Sequence, residues 1–233
     1  MNKTQIRKLA SFIKRVIANT KQQQIDALML WRTLLSHGAE NIFDLLSKVN
    51  IAVVDNDTVE IQKNMQHFQE LKDQLDQVMQ QATAYVIPKR MPFVKDIVVE
   101  IEMVLSSPNW CECGIECNEK IYVITNNISL HDDHKTIIFG QFKVVVNFGS
   151  NLPNDICDMI EVVAITPNPC PTQPDTTHPN VVQNRLNISH SNKKRIRTCI
   201  GEGQIHFMIN QIVKTLNDND SVFTDLSVPL AAW

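Results

Sequence analysis

Two side chains in the carboxy-terminal third have the types needed for acyl transfer through a thioester. Cys199, in Cys199-Ile200-Gly201-Glu202-Gly203, offers a thiol nucleophile, and Asn180, in Thr177-His178-Pro179-Asn180-Val181, offers a side-chain amide. A cysteine nucleophile needs a donor for the oxyanion that forms when its thioester is attacked, and an asparagine amide can supply it. The same residues have a plain structural alternative. Asparagine in a turn bonds its own backbone, and a cysteine beside a helix is commonly a small buried hydrophobe.

Other clusters have chemical potential. Cys111-Glu112-Cys113-Gly114-Ile115-Glu116-Cys117 places three thiols within one short stretch. They are metal candidates, with His131 or Cys157 as a fourth ligand, against the alternative of a hairpin loop with unpaired thiols. His131-Asp132-Asp133-His134 also has ligand types, but asparagine- and aspartate-rich turns are ordinary hairpin connections. Arg185, Lys193, Lys194, Arg195 and Arg197 form a basic insert without an acidic residue. It suits an acidic protein surface, a nucleic-acid backbone or a solvated hairpin tip; with no aromatic interleaved, single-strand stacking is disfavoured and a protein partner is preferred.

The elements that must position these groups follow from pattern. Pro167, Pro169, Pro171, Pro174 and Pro179 exclude a regular helix or central strand and predict a stiff, extended surface flap. Apolar residues at 205, 208, 209, 212, 213 and 216 predict an amphipathic helix over 203–216. Cys199 then stands a few residues before a helix N-terminus, where backbone N–H groups favour a thiolate. Arg195 and Arg197 would act in the same direction, and Glu202 against it.

Upstream, runs over 97–105, 120–124, 137–148 and 159–165 predict four antiparallel strands. Residues 3–86 read as helical. Ile6, Leu9, Ile13, Val16 and Ile17 form an apolar stripe opposite Lys3, Arg7, Lys8, Lys14 and Arg15, a pattern that suits a basic amphipathic helix for a membrane surface or an acidic partner, or simply a solvated face over a local core. A second helix is predicted over 22–36, ended by Gly38, and a third over 40–49. Asp55-Asn56-Asp57-Thr58 is a turn and N-cap cluster opening a long helix to about Ala84. Its near-heptad of Ile61, Met65, Phe68, Leu71 or Lys72, Leu75, Val78 and Ala82 suits an intramolecular hairpin or a homodimer seam. The expected class is α+β, with a helical accessory domain over 1–87 and a second domain over 93–233 joined at Pro88–Pro92.

The ordered text of Pro167-Asn168-Pro169, Thr177-His178-Pro179-Asn180-Val181 and Cys199-Ile200-Gly201-Glu202-Gly203 resembles the bacterial ubiquitin-conjugating-like (UBC-fold) proteins. Ile124–Asp133 is similar to the strand-and-turn text of that group. The resemblance covers about residues 95–233. It implies a UBC-like antiparallel four-stranded sheet with flanking helices. It implies that Cys199 carries a ubiquitin-like modifier as a thioester for transfer to an amine. It also implies that Asn180 supports the oxyanion and that His178 organises the loop. The implied partners are the modifier, an activating enzyme of the ThiF or E1 type, and a separate zinc-module ligase or deconjugating protease. A non-catalytic scaffold of the same fold is the alternative. The spacing departs from the family: eukaryotic members set asparagine about eight residues before the cysteine so that its amide reaches the oxyanion, whereas Asn180 and Cys199 are nineteen apart. Residues 183–197 must loop out as a hairpin for the two to meet.

Composition narrows the classes further. The 233 residues carry a formal net charge of −3, which disfavours a dedicated nucleic-acid binder. With 6 glycines and no phosphate-loop or dinucleotide fingerprint, no nucleotide cofactor is expected. No apolar run reaches membrane-spanning length and no secretory h-region follows Met1, so reduced thiols and a cytoplasmic location are expected.

Overall fold

The computed structural model describes residues 2–83, 90–132, 135–173 and 176–217. The chain divides into two compact units. One comprises residues 1–20 and 86–233; the other comprises residues 21–85. The first twenty residues thus belong with the sheet-bearing unit, whereas the sequence grouped them with the helical region. Two hydrogen bonds fasten them there: Leu152 N–H donates to Thr20 Oγ1 at 3.2 Å, and Asn19 Nδ2 donates to the Ser150 carbonyl at 3.3 Å.

Helix α1 runs from Lys3 to Val54. Ile6, Leu9, Ala10, Ile13, Val16 and Ile17 are all buried, so the predicted stripe is the covered face of this helix. The breaks predicted near Gly38 do not occur; residues 37–40 are helical. A glycine inside a helix costs about 1 kcal/mol relative to alanine. Ending the helix there would strand backbone groups at two new termini.

In the helical unit, α1 continues to Val54 and α2 spans Thr58–Thr83. Asp57 Oδ1 accepts from the backbone N–H groups of Val59 and Glu60 at 3.1 and 3.0 Å, the N-cap role foreseen for this cluster. Asn56 takes a left-handed conformation at φ 54° to make the turn. The expected seam is altered: Asn64 is buried, while Met65 is exposed.

The segment 97–105 is helix, not strand: α3 spans Val94–Ser106. Apolar residues there satisfy both periods, and tertiary burial decides between them. Ile97, Ile101 and Val104 are buried at helical spacing, while Val99 and Met103 stay exposed. Asp96 reaches back to accept the Phe93 N–H at 3.3 Å, which secures the first turn.

Strands β1 (Trp110–Glu116), β2 (Lys120–Thr125), β5 (Phe142–Asn147), β6 (Ile160–Ala164), β8 (Arg185–Leu186) and β7 (Val181–Val182) lie side by side in that order. Every pairing is antiparallel. The sheet is therefore six-stranded rather than four-stranded. A separate hairpin pairs β3 (Ile128–Asp132) with β4 (Lys135–Gly140). The single strand predicted over 137–148 is split at Gly140-Gln141. Cross-strand pairs Ile121↔Val146, Val123↔Val144, Val144↔Val162 and Val146↔Ile160 are buried together and form the sheet's core face.

After a short 3-10 turn (Ile156–Met159) and β6, the flap leads through β7 and β8 to α4 (His190–Glu202) and α5 (Ile205–Asn217). Part of the flap is tightly turned rather than extended: Gln173 N–H donates to Cys170 O and Thr176 N–H to Gln173 O. Helix α5 packs against both α3 and α4. Glu100 of α3 accepts the His206 N–H at 3.0 Å and so caps the start of α5. Among the described residues no helix is long and apolar enough to cross a membrane.

Candidate functional site

His178 and Asn180 are built into one buried lock. His178 is wholly buried. Its Nε2 donates to the Leu216 carbonyl at 2.9 Å, and its Nδ1 accepts the Asn180 backbone N–H at 3.0 Å. A carbonyl cannot donate and an amide N–H cannot accept, so these two partners fix the neutral tautomer with its proton on Nε2. Burial pushes the His178 pKa down to about 4, with the Leu216 carbonyl pulling weakly the other way. Phe139 and Phe142 flank the ring at 5.0 and 5.5 Å between centroids.

Asn180 is also buried, and its Nδ2 donates to the Thr215 carbonyl at 3.0 Å. Both loop residues thus direct donors at carbonyls in the last turn of α5, where helix carbonyls lack intrahelical donors. The amide foreseen for an oxyanion is bonded to a helix end.

Cys199 stands elsewhere. It lies in the last turn of α4, not ahead of a helix N-terminus. Residues 190–202 satisfy a helix because Ser189 Oγ accepts the Asn192 N–H and Gly203, at φ 76°, closes the C-terminus. At that end the helix dipole disfavours a thiolate. The side chain is 3% exposed. Burial pushes its pKa up to about 11; Arg195 opposes the rise and Glu202 reinforces it. The thiol lines a shallow depression of about 360 Å³ with Ser191, Lys194, Arg195, Thr198, Gln204 and Phe207. Neither His178 nor Asn180 lines it. With its pKa raised in this way the thiol is largely protonated near neutrality. Cys199 is therefore expected to alkylate far more slowly in the native protein than exposed Cys111 and Cys117. Mass spectrometry after brief iodoacetamide treatment checks this ordering.

The residues between Asn180 and Cys199 do not form one long looped hairpin. They make the short β7–β8 hairpin and then α4. Gln183 and Asn184 take left-handed conformations at φ 50° and 61°, the backbone of a two-residue hairpin turn. The returning strand brings the Asn187 N–H to the Asn180 carbonyl at 2.7 Å. The neighbour that the fold delivers to Asn180 is Asn187.

Most of the basic insert is already engaged within the chain. Arg185 pairs with Asp158, Lys193 pairs with Asp155 at 2.9 Å, and Arg197 donates to the Asn154 carbonyl. Arg195 covers the Phe207 ring at 5.0 Å.

The metal candidates are not gathered. Cys111 and Cys113 belong to β1 rather than to a loop; only Cys117 lies in the β1–β2 turn. Cys111 Sγ donates to the Thr125 carbonyl at 3.3 Å, and Cys113 Sγ to the Leu105 carbonyl at 3.5 Å. Desolvation raises the Cys113 pKa. Cys157 is buried in the 3-10 turn beside Asp155, and its pKa is pushed up to about 11 by burial. His131 bonds Thr136 Oγ1 through Nδ1 at 2.8 Å. Asp133 and His134 lie outside the described residues. Among the described residues, no group of three His, Cys, Asp or Glu side chains is placed to hold a metal ion.

Sequence reasoning did not foresee that Asn187, Thr215 and Leu216 would be the backbone partners of His178 and Asn180. The signal for Asn187 was present: Gln183-Asn184 separates the apolar Val181-Val182 from Arg185-Leu186 as a hairpin turn would. No signal announced that α5 would end against His178, because backbone carbonyls carry no sequence identity. No protein-family model, curated protein or solved structure matches the chain.

Proposed function

We propose that this chain is a UBC-like protein-binding scaffold that carries no modifier as a thioester. One observation supports this reading above the others: the hairpin returns Asn187, not Cys199, to Asn180. The family that the sequence resembles sets its cysteine about eight residues beyond the asparagine, within reach of an oxyanion donor. Here positions 187 and 188 are Asn187 and Ile188. An amide can hydrogen-bond but is a poor nucleophile, and an aliphatic side chain has no nucleophilic atom at all.

The order of elements is compatible with the family resemblance. A helix (α3) precedes the meander β1-β2-β5-β6; a proline-rich flap, His-Pro-Asn and two helices follow. On this reading His178 and Asn180 hold the loop to α5, and the surface built on them engages a partner protein.

A second reading retains the enzyme. Cys199 lines a surface depression with Lys194 and Arg195, cations that would favour its thiolate once the site opened. Its thiolate would attack the thioester carbonyl of a ubiquitin-like protein on a ThiF- or E1-type activating enzyme. The activating enzyme's thiolate would leave, and a substrate amine would later take the acyl group.

A charging assay separates the two. The protein is incubated with an activating enzyme, ATP and a ubiquitin-like protein from the same source, alongside Cys199→Ala. The scaffold reading expects no thiol-sensitive adduct on either. An adduct on the wild type that is missing from Cys199→Ala establishes the enzyme reading instead.

A further inference from the structure

The outer face of α1 carries a feature that neither reading uses. Thr4, Arg7, Lys8, Ser11, Phe12 and Arg15 form one side of a groove of about 530 Å³, and the β1–β2 turn Cys117-Asn118-Glu119 forms the other. Both sides belong to the sheet-bearing unit. Helical periodicity places this face opposite the buried stripe from Ile6 to Ile17. Thr4, Ser11 and Arg15 run near its midline, with Arg7 on one flank and Lys8 and Phe12 on the other.

Three properties define the occupant. First, residues 2–20 contain five cations (Lys3, Arg7, Lys8, Lys14, Arg15) and no acidic residue. Arg7, Lys8 and Arg15 form no ion pair among the described residues. Second, Arg7 and Arg15 are eight positions apart, about 12 Å along the helix. One small anion cannot bridge them; an extended chain of negative groups can. Third, the opposite wall is not basic. Glu119 lines it, and the whole chain is net negative at −3. Among the described residues lining the groove the one aromatic ring, Phe12, is covered by the Arg15 guanidinium at 5.0 Å. A nucleic-acid strand would find no free stacking surface. An acidic peptide fits better: its carboxylates meet the arginines, and its backbone N–H groups suit the Thr4 and Ser11 hydroxyls.

We infer that this groove is a docking site for an acidic segment of another polypeptide. It acts independently of Cys199 and holds under either reading of the function.

The test uses the full chain and a labelled short peptide of alternating Glu and Asp, read by fluorescence anisotropy at low salt. A Gln/Asn peptide and a single-stranded oligonucleotide of similar length serve as competitors. Arg7→Glu/Arg15→Glu is compared with Lys194→Glu/Arg195→Glu, which leaves the groove intact. Cys117, exposed in the groove wall, gives a local readout by alkylation; Cys111, exposed on β1, is its internal control. The expected result is saturable binding of the acidic peptide, weakened roughly tenfold or more by reversing Arg7 and Arg15 and unchanged in the other variant. The peptide should slow alkylation of Cys117 but not of Cys111. A Lys-rich peptide should bind the reversed variant instead. Absent binding, equal affinity in the Arg7/Arg15 variant, an unprotected Cys117 or tighter binding of the oligonucleotide each overturns the inference.

Discussion

Acidification from pH 7 to pH 4 is expected to remove about 3 kcal/mol of stability through His178 alone. The folded state holds this imidazole neutral, buried between two phenylalanine rings, with its pKa pushed down to about 4. In the unfolded chain histidine titrates at about 6.5. Between those values the unfolded state binds a proton and the folded state does not, so stability falls as pH falls. Each pH unit across that window is worth about 1.4 kcal/mol, and the loss levels off below the folded value. Removing the ring should be as severe. His178→Ala strands the Leu216 carbonyl and the Asn180 N–H and leaves a cavity against Phe139 and Phe142. These add to roughly 3–5 kcal/mol at neutral pH. Urea melts at several pH values check both claims. The difference between wild type and His178→Gln should shrink from pH 7 to pH 4, and parallel curves would refute the proton linkage.

Gly140→Ala is the second large effect expected, about 2–4 kcal/mol. Gly140 ends β4 at φ 81°, just before the step to β5. A side chain there incurs about 1 kcal/mol or more from the left-handed backbone. Its Cβ would also fall on Thr166 Oγ1 and stand 2.8 Å from the Thr166 carbonyl oxygen. A hydroxyl can rotate away, but a backbone oxygen cannot. The same Thr166 hydroxyl accepts the Gln141 N–H at 3.2 Å, so any shift also weakens the corner. A thermal melt compares the variant with wild type. An unchanged midpoint would show that the corner relaxes freely.

The mixed class, β2, β6, α5 and the Asp57 cap were legible because one period or one cap residue dominated each. The segment 94–106 was not, because its β-branched run satisfies the strand period as well as the helical one. The contacts of α3 with α5 and with β1 select the face. The run 137–148 misled for the opposite reason: its apolar residues are continuous, and the corner rests on one glycine whose left-handed conformation sequence alone does not announce. At the candidate site, the kinship of His178 and Asn180 was legible from adjacency. The position of Cys199 was not, because it depends on whether residues 190–198 fold as loop or helix. Ser189 and Gly203 decide for helix, and the thiol moves from a helix start to a helix end.

Trp110 joins α3 to β1: its indole N–H donates to the Val104 carbonyl at 2.8 Å, and its ring meets His206 edge-on at 5.9 Å. It is 4% exposed, whereas Trp31, in the helical unit, is only half-buried. The two indoles therefore differ in colour. Trp110 emits from a dry environment at the blue side of the spectrum, Trp31 from a wetter one. With Trp233 replaced by phenylalanine, the blue and red edges become separate optical clocks for the melting of the two units, without an added dye.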